Sequence, residues 1–140
     1  MRTAAAIAAT LLVVVTVTAQ EGHPLAGTWY GDYTVGAQKR DLTIILAWDG
    51  KTASGTISPG PDAIPLTSVA LTITPGKPAP EGQNSTTGVP PIFHVRFQAN
   101  LPGGATTFEG TIQNPVAGNR RVTGTWTRGS EQGVFAIRRL

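Results

Sequence analysis

The chain has two histidines, His23 and His94, and no cysteine. A transition-metal site needs three or four nitrogen, sulfur or carboxylate ligands. Neither histidine has a carboxylate pair at ligand spacing, so no metal and no cofactor is expected. The serines sit in turn contexts such as "ISPG" and "GSEQ". There is no Gly-x-Ser-x-Gly elbow, and nothing proposes a base for a nucleophile. Asp32, Asp41, Asp49 and Asp62 are scattered; Asp49 belongs to an Asp-Gly hairpin and Asp62 to a proline bend. Glycoside hydrolysis would need two carboxyls at a defined separation across a cleft, which one sequence cannot demonstrate. The expectation is a protein without catalysis.

Asp32 stands apart because it lies in "GTWYGDY", Gly27 to Tyr33, beside Trp29 and Tyr30. It reads as an outward residue pairing with an arginine on a neighbouring strand. Trp29 and the terminal arginines form a second constellation. A guanidinium over an indole is worth about 0.5–2 kcal/mol and closes the bottom of a barrel. Arg139 shares a face with Phe135 and Ile137 and is the expected partner, with Arg138 as the alternative. That role is structural.

Strands must position these residues. Beyond the first nineteen positions no window has helical periodicity, while Thr, Val, Ile and aromatics alternate in short runs between Gly, Pro, Asn and Asp. Eight strands are expected near 27–35, 39–48, 52–58, 66–74, 92–99, 105–113, 120–128 and 132–139. The connectors "WDGKT", "NLPGGA" and "TRGSEQG" are turns. Short hairpins between consecutive strands give an all-β fold, a single eight-stranded antiparallel up-and-down β-barrel, which leaves no open edge. Gly-Thr followed by Trp or Ile recurs at Gly27, Gly55, Gly110 and Gly124, which reads as a repeated corner geometry. Prolines 59, 61 and 65 make Ser58 to Leu66 an extended bend. The polar, proline-rich run from Pro75 to Pro91 is either a mobile loop or a lid, and it carries the sequon "NST" at Asn84.

Period-two alternation points Trp29, Leu42, Ile44, Leu46, Trp48, Ile57, Val69, Leu71, Ile73, Phe93, Val95, Phe97, Phe108, Ile112, Val122, Trp126, Phe135 and Ile137 inward. An eight-stranded barrel is either filled by such side chains or holds one small ligand. If a cavity exists, Trp48, Phe93, Phe97 and Trp126 line it and the ligand is apolar.

Residues 1–19 read as a signal peptide, with Arg2 ahead of an apolar run from Ala4 to Val17 and small residues at Val17 and Ala19. Cleavage before Gln20 leaves a tail at 20–26 and a barrel domain at 27–140, with no lipid-modified cysteine and no membrane anchor. The expected localisation is periplasmic or extracellular. Eleven Lys and Arg against eight Asp and Glu become ten against eight, a net +2, once Arg2 leaves. Only the C-terminal part (Arg120, Arg121, Arg128, Arg138, Arg139) is enriched in cations, so no nucleic-acid partner is expected.

The segments "GTWYGDY", "LAWDGKTASGTISPGPDAIPL" and "VTGTWTRGSEQGVFAIRR" resemble small secreted bacterial β-barrel proteins. They are also similar to the calycin-like domain at the N-terminus of some exported hydrolases. The resemblance implies a calycin-like barrel and no established activity. Lipocalins share Gly-x-Trp, here Gly27 and Trp29, with an arginine near the last strand. Avidins open with a similar "GTWY", but Gly31 and Ile57 stand where they carry biotin-contacting residues, so biotin binding is not implied. An enzyme remains an alternative that a solvent-exposed carboxylate pair in one cleft would support, beside two binding functions. One is an exported binding protein for a small apolar molecule. The other is a module that contacts another exported protein, as a protease inhibitor with Gln20 to Leu25 as its trunk does. Ile45 and Tyr30 on the outer wall offer a place for a second copy.

Overall fold

The computed structural model describes residues 23–83, 88–115 and 118–140. The expected leader and the sequon at Asn84 lie outside them. The chain forms β1 (Gly27–Val35), β2 (Gln38–Trp48), β3 (Ala53–Ser58), β4 (Ile64–Thr74), β5 (Ile92–Leu101), β6 (Gly104–Gln113), β7 (Arg121–Arg128) and β8 (Glu131–Arg139). These join in sequence order into a closed antiparallel barrel, with β1 pairing β8 from Trp29 opposite Arg139 to Tyr33 opposite Phe135. This is the expected up-and-down eight-stranded barrel, compatible with a calycin-like fold. The proximal end carries His23 to Ala26, the β2–β3, β4–β5 and β6–β7 connections and Leu140; the distal end carries the other four turns.

Alternation builds one apolar core. Trp29, Leu42, Ile44, Ile57, Phe97, Phe108, Val122 and Ile137 are buried, together with Leu25 from the tail. Each such side chain contributes roughly 1.5–3 kcal/mol before conformational entropy is subtracted. At the distal end Tyr33 meets Phe108 and Trp126 edge-on, with centroids 6.3 and 6.0 Å apart, and Phe108 meets Phe135 at 5.3 Å and 90°. The ring quadrupoles favour these angles. Trp126 Nε1 donates to the Thr34 carbonyl at 2.8 Å, so its polar atom is satisfied inside the wall. At the proximal end Trp29 Nε1 donates to the Leu25 carbonyl at 2.7 Å, which ties the tail across the barrel mouth.

Inward glycines let the strands coil this tightly. A Cβ on Gly31 would lie 1.9 Å from the Ala136 carbonyl oxygen, and one on Gly124 equally close to that of Glu109. Gly55 and Gly110 occupy comparable positions against neighbouring backbone. Three of the four Gly-Thr repeats are therefore barrel corners.

One seam departs from the expected regularity. β3 and β4 share only the pairs Thr56–Pro65 and Ile57–Ile64. β4 begins two residues earlier than expected, taking Pro65 into the strand, where proline has no N–H to donate to β3. The ladder to β5 then steps from Leu66–Ala99 to Ser68–Gln98, leaving Thr67 without a partner as a bulge. No β4 side chain is fully buried, and Ile73, expected inside, is 54 % exposed because no β3 ladder lies beside it. Beyond Thr74 the arm continues through a bridge between Lys77 and Val89, with both N–H···O contacts at 2.8 Å.

Candidate functional site

The four aromatic residues expected around a cavity are spread along the barrel. Trp48 ends β2 at the proximal end, half-buried, with the His23 ring stacked on it at 4.5 Å and 27°. Phe93, near the start of β5, is half-buried between Ile73 and Ile112. Phe97 is fully buried opposite Val69 and Phe108, and Trp126 is buried toward the distal end. Tyr33, Ala99 and Leu101, not singled out in the sequence, complete this packing.

Trp29 and Arg139 meet as register partners across β1 and β8. The Arg139 guanidinium lies over Gly27, with Nε 2.9 Å from where a Cβ would stand. Among the described residues the arginine over an indole is Arg128, 5.6 Å from the Trp126 ring. Its guanidinium is held by Glu131 at 2.6 Å and by the Pro102 carbonyl at 2.9 Å. The tail is fixed by Arg120 Nη1 donating to the Pro24 carbonyl at 2.8 Å, and by Leu25 N–H donating to His23 Nδ1 at 3.3 Å. Burial holds the His23 imidazole below its ordinary value, consistent with a neutral ring that accepts at Nδ1.

Asp49 accepts from the Thr52 and Lys51 N–H groups at 2.7 and 2.8 Å, which lowers its pKa and assigns it to the turn. His94 bonds Thr74 through Nε2 at 3.0 Å on the outer face. Among the described residues no three His, Asp or Glu side chains come together to hold a metal.

The charged residues that do converge lie outside, over β7, β8, β1 and β2. A groove of about 930 Å³ there is lined by Tyr30, Asp32, Asp41, Gln113, Asn114, Asn119, Arg121, Arg138 and their neighbours. Its floor is Gly31, Ala136 and Ile137, where the Ala136 carbonyl leaves no room for a Cβ on Gly31. Register explains the arrangement. Tyr30 is opposite Arg138, which is opposite Arg121, which is opposite Gln113, so these form one row across four strands. The next row holds Asp41, Asp32 and Ala136. Adjacent strands lie about 4.8 Å apart, so the Arg121–Arg138 and Asp32–Asp41 pairs each place like charges side by side.

The described ion pairs, Arg96–Glu109 and Arg128–Glu131, leave all four of these groups out. Asn114, at one end of the groove, is the only described residue other than glycine with positive φ, at 54°. Asp32, expected to pair with an arginine on a neighbouring strand, stands opposite Asp41 instead, and no ion pair to it is made among the described residues. The Asp32–Asp41 pair follows from the β1–β2 register and the Arg121–Arg138 pair from the β7–β8 register, and the β1–β8 closure brings the two pairs onto one wall.

No protein-family model, no curated protein and no solved structure matches the chain.

Proposed function

We propose that the protein is an exported, non-enzymatic binding protein whose barrel is filled by its own side chains and which works through its outer surface. The observation that carries this reading is the packing of the core. Trp29, Phe97, Phe108 and Trp126 are buried within one apolar cluster, the distal end is closed by edge-on aromatic contacts, and Leu25 is tied across the proximal mouth. An eight-stranded barrel is narrow enough for such residues to occupy it.

Export is supported by the apolar run behind Arg2 and the small residues before Gln20, and it places the protein in the periplasm or outside the cell. Kinship with small secreted bacterial barrels and with the calycin-like domains of exported hydrolases belongs to the same reading. It rests on the segments quoted above. Trp29 and Arg139 then serve barrel closure.

A second reading, a small apolar ligand held by Trp48, Phe93, Phe97 and Trp126, has one observation in its favour. Val69, Leu71 and Phe93 are only half-buried beside the two-pair seam between β3 and β4. Native mass spectrometry of protein taken from its own host, followed by denaturing extraction, separates the two. A bare protein mass is expected. An apolar molecule released on denaturation would replace the first reading with the second.

A further inference from the structure

We propose that the outer groove over β7, β8, β1 and β2 binds an acidic saccharide, with Arg121 and Arg138 on its carboxylate or sulfate and Asp32 and Asp41 on its hydroxyls. The inference deepens the outer-surface reading and rests on it.

Like charges directly opposite each other on adjacent strands are destabilising, and this wall carries two such pairs, Arg121–Arg138 and Asp32–Asp41. Neither is relieved by the ion pairs among the described residues, although the rows of opposite charge lie one register step apart. Elsewhere on the barrel the expected neutralisation is made, as Arg96 with Glu109 at 3.2 Å shows. Charges kept apart in this way fit a ligand that engages both signs.

Chemistry narrows the class. Two guanidinium groups side by side offer paired N–H donors to one oxyanion. Ionised carboxylates only accept, so their partners must be O–H or N–H donors, and sugar hydroxyls supply these without added charge. Tyr30, 40 % exposed in the arginine row, gives an apolar ring face beside them. Asn114 adds amide donor and acceptor capacity at one end. A protein partner would suit Tyr30 and the two arginines, but the Asp32–Asp41 row matches it less well, because Asp is depleted at protein interfaces.

The test has two arms. In titration calorimetry the probes are an oligogalacturonate, an uncharged cello-oligosaccharide of equal length, and a peptide of alternating Asp and Lys. Wild type is expected to bind the oligogalacturonate alone, more weakly as salt rises. Arg138→Gln and Arg121→Gln are each expected to weaken binding about tenfold or more, as loss of a charged hydrogen bond does. Asp32→Asn should weaken it less, and Arg96→Gln on the other wall should leave it unchanged.

Thermal unfolding supplies the second arm. Arg138→Gln and Asp32→Asn should leave the melting temperature unchanged or raise it, since each relieves repulsion. No binding of the oligogalacturonate, equal binding of the neutral sugar, or binding of the peptide in its place would overturn the assignment. A lowered melting temperature in both variants would do so too, by making the charges structural. A bare native mass together with any of these results leaves the outer-surface reading standing and removes only the saccharide. A released apolar ligand together with oligogalacturonate binding does the reverse.

Discussion

The wall from β7 to β2 and the seam between β3 and β4 solve the same closure problem with opposite means. Across the wall β1 pairs β2 through nine residues and β7 pairs β8 through eight. Beside the seam two pairs suffice, and β4 is uncharged from Ile64 to Thr74. The wall concentrates charge of both signs on its outer face while burying Trp29, Phe135 and Ile137 beneath. Extensive ladders and deep burial let a surface carry electrostatic strain without losing the fold. A lightly paired seam has no such reserve, and its outer face is Ser, Thr, Ala and Pro65.

The wall tolerates least change at the barrel corners, where inward glycines meet neighbouring backbone. Gly124→Ala puts a Cβ into the Glu109 carbonyl and should cost about 3 kcal/mol or more, seen as loss of cooperative unfolding or a large drop in the denaturant midpoint. Ile137→Ala, beneath the wall, should cost about 2–5 kcal/mol, whereas Leu71→Ala, half-buried beside the seam, should cost about 1 kcal/mol. Equal costs in chemical denaturation would erase the distinction between the two regions. Native-state hydrogen exchange sharpens it without mutation. Amides of β4 from Ser68 to Thr74 that face β3 should exchange well before those of β8, because only the latter strand is laddered along both sides.

The smallest effect concerns the proximal mouth. The folded-state pKa of His23 is depressed, so its contribution is present above the ordinary histidine value of about 6.5 and is lost as pH falls through the lower folded value. Titration of the His23 ring by NMR should place that value below 6.5, and the stack on Trp48 should loosen over the same window. An unshifted titration would detach the tail from the barrel.

Most of the barrel was legible because its information is local. Alternation identified Trp29 of β1, Leu42, Ile44 and Leu46 of β2, Val95 and Phe97 of β5 and Phe135 and Ile137 of β8 as inward, and turn residues placed the ends of these strands within two positions. Ile73 and Pro65 were misjudged for a shared reason. The exposure of one and the inclusion of the other depend on how far β3 reaches, which β4's own sequence does not state. The outer groove needed more. Asp32 was conspicuous beside Trp29 and Tyr30, but its like-charged neighbour Asp41 and the Arg121–Arg138 pair appear only once strand register is known. Arg128 was legible as a strand-end cation, while its place over Trp126 depends on a contact between side chains.

The bulge at Thr67 bears on how this chain tolerates changes of length. Removing one residue from a strand ordinarily turns every following side chain to the opposite face. At Thr67 the outcome is reversed, because the residue has no partner on β5 and the flanking Leu66 and Ser68 already oppose consecutive residues, Ala99 and Gln98. Its deletion would join Ile64, Leu66, Val69, Leu71 and Ile73 into one unbroken alternation. Within β4 the loss of one codon at Thr67, or at Ser68 beside it, preserves the pattern of the core, and there a lineage could shorten the strand without rewriting it.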